Sequence, residues 1–292
     1  MYGNVTEAND ACFNTSTNCQ AEVEAPYIFH SKRGFYDIGH YNLDPFPPNY
    51  FMGYLAEAKV QQALGVPVNF TLLSNTVGKA FNLTGDYPRR DSLGSIGDIG
   101  YLLDHKVQVA LLYGDRDFAC NWIGGERVSL DVRYESSEAF LAAGYANITH
   151  GLDIWGQVRQ HGNFSFSRIY QSGHMIPSYR PEAALEIFKR VMNGKDVQTG
   201  KVDIKPSFST NGTSTSTHTD TLQAGPGPIC YLWALGGTCA KNQIDAVRNN
   251  NATIKNYVIT DPPQPSDTCP YTQKSSDPVD SEFSGVHWHE GL

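Results

Sequence analysis

The sequence predicts an α/β protein: an open sheet flanked by helices, followed by a Ser/Thr-rich tail. Three observations carry this expectation. Two short apolar runs, "KVQVALLY" (106–113) and "FSFSRIY" (164–170), have the length and residue types of strands, and each leads through a loop into a helical segment. Hydrophobic residues make up 40% and aromatics 12% of the 292 residues, enough for a sizeable core. Beyond about residue 205, "SFSTNGTSTSTHTDT" drops all hydrophobic periodicity.

Taken in order, residues 1–50 read as loop, with "DPFPPNYF" interrupting any regular element. "YLAEAKVQQALG" (54–65) reads as a helix stopped by Gly65 and Pro67, with Leu55, Val60, Ala63 and Leu64 available for a core face. A second helix is expected over "SIGDIGYLLDHK", and the 106–113 run then reads as a strand covered on both faces. "SSEAFLAAG" (136–144) is a short helix ending at glycine. After the 164–170 strand, "QSGHMIPSY" forms a turn into "RPEAALEIFKRVMNG" (180–194). That helix has Pro181 in its first turn, Glu182 near its positive end and Gly194 closing it. In open α/β sheets, reactive groups lie just beyond the carboxyl ends of the strands. Gly114-Asp115-Arg116-Asp117 and Gly173-His174 occupy two such ends.

These elements divide the chain into a main domain over 1–204, a linker over 205–228, a small cysteine-containing segment over 229–260 and a disordered tail over 261–292. A net charge of −8 argues against nucleic acid, and no apolar stretch is long enough for a membrane span. No zinc-type cysteine spacing or phosphate-cradling glycine loop is present, so neither metal nor cofactor is expected. His287, His289 and Glu290 cluster in the tail, but their spacing in a disordered end does not make a metal site.

Compartment is written in the polar residues. Eight Asn-x-Ser/Thr sequons occur, at Asn4, Asn14, Asn69, Asn82, Asn147, Asn163, Asn211 and Asn251. Chance spacing gives roughly three, so a glycoprotein of the secretory pathway is expected. Asn163 stands apart, because "NFSFSRIY" reads as the start of a strand. Among the six cysteines, proximity pairs Cys12 with Cys19 and Cys230 with Cys239, leaving Cys120 and Cys269. "MYGNVTEANDACFN" has no basic region followed by an apolar core, so no signal peptide is read here. A secretory chain without one implies that the front of the protein lies outside this sequence.

An aspartate at one strand end and a histidine at a later one suit acid–base chemistry, in which imidazole moves a proton and a carboxylate holds its tautomer. Asp117 precedes His174, the order found in α/β-hydrolases, while a solvated loop aspartate and an unrelated histidine is the plainer alternative. "YGDRDFACNWIGG" (113–125) and "YQSGHMIP" (170–177) closely resemble the acid and histidine motifs of the serine carboxypeptidases, above all the secreted and vacuolar fungal members. "GFYDIGHYN", "ALGVPVNFT" and "WIGGERVSL" extend the resemblance to about Gly200.

The resemblance implies the C-terminal part of an α/β-hydrolase fold, a mostly parallel sheet with flanking helices, and the removal of C-terminal residues from peptides and proteins. It makes Asp117 the triad acid, Asp115 a turn residue and His174 the general base. Cys120 matches an unpaired thiol lining the substrate pocket, with a buried small residue or a disulfide partner as the alternatives. Met175 lines the pocket for the departing residue or belongs to the core, and Trp122 is packing. No serine sits in a Gly-x-Ser-x-Gly frame, and "LGSIG" has leucine two positions before Ser95. The nucleophile and oxyanion donors are therefore expected in a missing N-terminal half, the partner this chain requires. The alternative is a non-catalytic secreted glycoprotein that keeps the fold as a binding or structural module.

Overall fold

A computed structural model describes residues 5–31, 33–40, 50–71, 74–84, 94–221, 229–232 and 235–263. The chain divides into two compact units. One comprises Met1–Gly34, His40–Pro88 and Ala224–Leu292, the other Phe35–Gly39 and Arg89–Gln223.

The first unit begins with helices where loop is expected: α1 (Val5–Cys19), a π-helical turn over Gln20–Glu24, and α2 (Ala25–Ser31). Helix α1 is rich in Asn, Thr and Ser, residues of weak helix propensity, so its sequence carries no helical signal. It lies against α5 (Asn75–Thr84), a tertiary contact that local propensity cannot report. The helix expected over 54–65 is two pieces, α3 (Tyr50–Leu55) and α4 (Ala58–Leu64), because Glu57 takes an extended conformation between them. Gly65 closes α4 at φ 69°, as a C-terminal glycine should.

The second unit holds α6 (Gly94–Asp104), β1 (Val109–Gly114), α7 (Trp122–Asp131), α8 (Ser137–Ala142), β2 (Tyr145–His150), β3 (Asp153–His161), β4 (Phe164–Ile169), α9 (Ile176–Tyr179) and α10 (Pro181–Met192). Its strands form one sheet in the order β1-β4-β3-β2. Strands β1 and β4 are parallel, while β4–β3 and β3–β2 are antiparallel, so the α/β sheet is mixed. The β2–β3 and β3–β4 hairpins account for the difference from a mostly parallel sheet. A tight turn through Gly151 (φ 59°) suffices to join antiparallel neighbours, whereas the parallel β1–β4 pair needs a long crossover.

Strand β4 is buried along its whole length. Phe164 and Phe166 face a core of Leu103, Val132, Phe140 and Tyr145, and Ile169 faces a second core with Ile148, Val158, Ile176 and Ile187. Helices thus cover both faces, the condition for an interior strand in this architecture. Part of the Ser/Thr-rich run expected as linker is also held here. The Thr210 hydroxyl donates to the Gly144 carbonyl (2.7 Å) and accepts the Gln160 N–H (2.9 Å). Thr213 bridges Tyr145, and the Arg159 guanidinium donates to the carbonyls of Leu141, Ala143 and Ser214. This attachment is made of polar bonds, so hydrophobic periodicity does not register it.

In the first unit, α11 (Leu235–Thr238), α12 (Lys241–Arg248), and the antiparallel pair β5 (Thr253–Lys255) and β6 (Val258–Asp261) surround a small core of Ile259, Leu235, Ile244 and Val247. The Cys230–Cys239 disulfide closes this element, as proximity suggests. Cys19 is an exposed free thiol, so it is not clipped to Cys12; the local helix holds that segment instead. Asn4, Cys269, His287, His289 and Glu290 lie outside the described residues. Among those described, no helix is long and apolar enough to cross a membrane.

Candidate functional site

Parallel pairing of β1 with β4 sets Gly114 opposite Ile169, so the loops leaving the two strands run side by side. The Asp115 N–H donates to the Ile169 carbonyl and the Arg116 N–H to the Ser172 carbonyl, each at 2.9 Å. Gly114 permits that approach: a Cβ there would lie 2.3 Å from the Ser172 carbonyl oxygen and 2.4 Å from that of Gly173. The side chains carried forward by these loops are Asp117 and His174.

His174 Nδ1 lies 2.8 Å from Asp117 Oδ2. The other carboxylate oxygen accepts the Cys120 N–H at 3.2 Å, which fixes the plane of the carboxylate. Asp117 is 3% exposed and His174 40%, so the acid is sequestered while the imidazole faces outward. The hydrogen bond to Asp117 raises the His174 pKa, with burial opposing it. Asn121 caps α7 by accepting the Gly124 N–H at 2.9 Å, anchoring the exit of the acid loop.

The second aspartate of the loop has different surroundings. Asp115 turns to Arg168 (3.7 Å) and accepts the Ser172 N–H (3.4 Å), with no bond to His174. Burial raises its pKa, and Arg168 counters the effect. The Arg168 guanidinium lies 4.0 Å above the Trp122 ring, so Trp122 packs beneath the acid loop as a cation–π platform.

The Cys120 thiol, a carboxylate oxygen of Asp117 and a ring nitrogen of His174 lie within 4.8 Å of one another. Cys120 is an exposed residue whose partly desolvated thiol is unpaired, which removes the disulfide alternative. Burial of its sulfur, and then the Asp117 charge, push its pKa up. Both effects favour the protonated thiol over the thiolate. A thiol, an imidazole and a carboxylate also form a zinc-type donor set. Here Nδ1 is engaged with Asp117 at 2.8 Å, the hydrogen-bonded pairing that acid–base chemistry uses. Met175 is exposed, beside His174 and ahead of α9.

Sequence reasoning missed the strap over Phe35–Gly39, which it treated only as matching flank. This segment holds both loops: Ile38 N–H donates to the Arg116 carbonyl (2.8 Å), Ala119 N–H to that of Phe35 (3.1 Å), and His174 N–H to that of Tyr36 (2.8 Å). The Tyr36 ring lies 4.9 Å from the imidazole. Asp37, buried, accepts from Arg116 at 3.1 Å and from the Gly39 N–H at 2.7 Å. Gly173 has no room for a side chain, since a Cβ would fall 2.4 Å from the Tyr36 carbonyl oxygen. An aspartate beside a tyrosine in "FYDIG" is the signal the sequence offers; that the aspartate is buried is decided by the fold.

A sequence model of the serine carboxypeptidase family matches residues 4–194. The chain is 47% identical over 275 residues to a carboxypeptidase Y homolog of Arthroderma benhamiae, covering 93% of this chain and 44% of that protein. It is 43% identical over 285 residues to a carboxypeptidase S1 homolog A of Arthroderma otae, covering 94% of this chain and 44% of that protein. The chain thus spans less than half the length of these relatives. A solved structure of a prohormone-processing carboxypeptidase from Saccharomyces cerevisiae aligns with 67% of this chain and 49% of that one, at 18% identity and a TM-score of 0.48.

Proposed function

Since the chain belongs to the serine carboxypeptidase family, we propose that it supplies the acid and the base of a Ser-Asp-His triad that releases residues from peptide C-termini. The observation that carries the reading is the 2.8 Å bond between a sequestered Asp117 and an outward-facing His174. In its neutral form, His174 takes the proton of a serine hydroxyl through Nε2 as the oxygen attacks the scissile carbonyl. It returns that proton to the nitrogen of the departing residue, and water then releases the acyl group by the same relay. Asp117 keeps the second ring proton on Nδ1 and stabilises the imidazolium between these steps. The raised His174 pKa has this origin.

The serine and the oxyanion N–H groups come from residues outside this chain, because none of its serines lies in the nucleophile frame. Cys120 and Met175 line the pocket for the departing residue. The sequons and the Cys230–Cys239 bond support residence in the secretory pathway.

The test joins this chain to the upstream portion of the Arthroderma benhamiae relative and follows hydrolysis of a blocked dipeptide. The chimera should be active and the isolated chain inactive. Asp117→Asn should lower kcat by about 10⁴-fold, the loss typical of a mis-set tautomer, while Asp115→Asn should stay within a few-fold. Equal losses at both aspartates would refute the assignment.

A further inference from the structure

Two of the sequons lie on the same sheet and use their side-chain amides in opposite ways. Asn163 sits in the turn between β3 and β4, where its Nδ2 donates to the carbonyls of Val107 (2.8 Å) and Leu103 (3.2 Å). Its own carbonyl accepts the Val109 N–H at 2.9 Å. Both amide hydrogens thus tie the β3–β4 turn to the approach of β1. Asn147 lies on the edge strand β2 and is exposed. There only Oδ1 is engaged, accepting from Gln157 Nε2 at 3.4 Å, and Nδ2 makes no hydrogen bond among the described residues.

Nδ2 is the atom that N-glycosylation modifies. In that transfer a bond forms from Nδ2 to the anomeric carbon of an oligosaccharide carried on a lipid pyrophosphate. The bond from that carbon to the pyrophosphate oxygen breaks, its electron pair leaves with the pyrophosphate, and Nδ2 loses one proton. A glycosylated asparagine therefore keeps a single amide hydrogen and gains a bulky substituent. Asn147 can carry both changes without losing a contact. Asn163 cannot, since one of its two donated bonds would be replaced by a sugar in a half-buried turn.

The surroundings of Asn147 suit a sugar. It lines a shallow, open hollow of about 320 Å³ together with Gln157, Tyr170, Arg180, His218 and Asp220. His218 stacks on Tyr170 with ring centroids 3.9 Å apart and pairs with Asp220 at 3.0 Å. An open ring face and fixed polar groups around a small concavity are what a hexosamine uses. Tyr170 is buried beneath His218, so the outer face of the His218 ring meets the C–H face and the polar groups meet the hydroxyls and acetamide. We propose that Asn147 is an N-glycosylation site whose proximal N-acetylhexosamine seats in this hollow, and that Asn163 is a structural bracket bearing no glycan in the folded protein. The proposal rests on the secretory-pathway reading and is independent of the catalytic one.

The experiment expresses the full chain in yeast behind a secretion leader, so that entry into the pathway is imposed. Glycan occupancy is mapped by mass spectrometry of the folded fraction, whether secreted or protease-resistant within the cell. Asn147 should be modified and Asn163 bare. Asn147→Gln should remove one glycan, and Asn163→Gln should remove none while reducing the folded yield. A bare Asn147, or a glycan on Asn163 in folded protein, would overturn the assignment. For the seat, peptide N-glycosidase acting on native protein should release the Asn147 glycan more slowly than that of any other occupied sequon. Denaturation or His218→Ala should abolish the difference. Equal release from native protein would refute the seat while leaving the site itself standing.

Discussion

Replacing Arg116 by alanine should damage the site from behind, without touching Asp117 or His174. Asp37 is 3% exposed, and Arg116, 17% exposed, is its ion-pair partner at 3.1 Å. Removing one partner of a buried pair costs about 3–5 kcal/mol, because the remaining charge stays out of water. Truncation at Arg116 opens a path for water and the Gly39 N–H bond survives, so the lower end applies, about 3 kcal/mol. For a unit of this size that corresponds to a fall of about 6–12 °C in Tm. The decisive comparison is the double variant. Asp37→Asn removes the buried charge that has lost its guanidinium while keeping an acceptor for Gly39, so the double variant should be more stable than Arg116→Ala alone by about 1–2 kcal/mol. Thermal unfolding followed by circular dichroism measures both. The Tyr36 carbonyl holds the His174 N–H, so the imidazole resonance should also shift or broaden in Arg116→Ala and recover in the double variant. A double variant less stable than Arg116→Ala would show that the buried Asp37 charge is not the cause, and the reasoning would fail.

Three further outcomes are expected. The His174 imidazole should titrate above 6.5 by NMR in the full chain and below it in Asp117→Asn, where burial acts alone. The corresponding stability is present in full below the unfolded value and is lost as pH rises through the folded one; a stability profile rising over that window would contradict this. Cys120 should react with iodoacetamide only slowly at neutral pH, and faster in Asp117→Asn, because burial and the Asp117 charge both hold the thiol protonated. Indifference to the mutation would remove Asp117 as a cause. Replacing Cys230 and Cys239 together by serine should destabilise the small C-terminal element by about 2–3 kcal/mol, measured as faster amide exchange over α12 and β6.

Local sequence determined the elements whose signals are themselves local. The 106–113 and 164–170 runs became β1 and β4 because β-branched and aromatic residues suit a strand covered on both faces. Helix α10 formed between Pro181 and Gly194 because its start, stop and apolar stripe all lie within its own residues. Asp117 and His174 were legible for a similar reason, since both follow directly on strand ends and stand in long motifs. Tertiary structure decided the rest. Parallel pairing set the two loops side by side, and the glycines at 114 and 173 matter for what they touch across the fold. The strap over Phe35–Gly39 acts through backbone bonds to residues far along the chain, which no window around it can display. Helix α1 and the attachment of Thr210 depend likewise on partners distant in sequence. The sequons follow the same division. Their positions are a matter of sequence, but whether an asparagine has its Nδ2 free or spent is decided by which carbonyls the fold brings within reach.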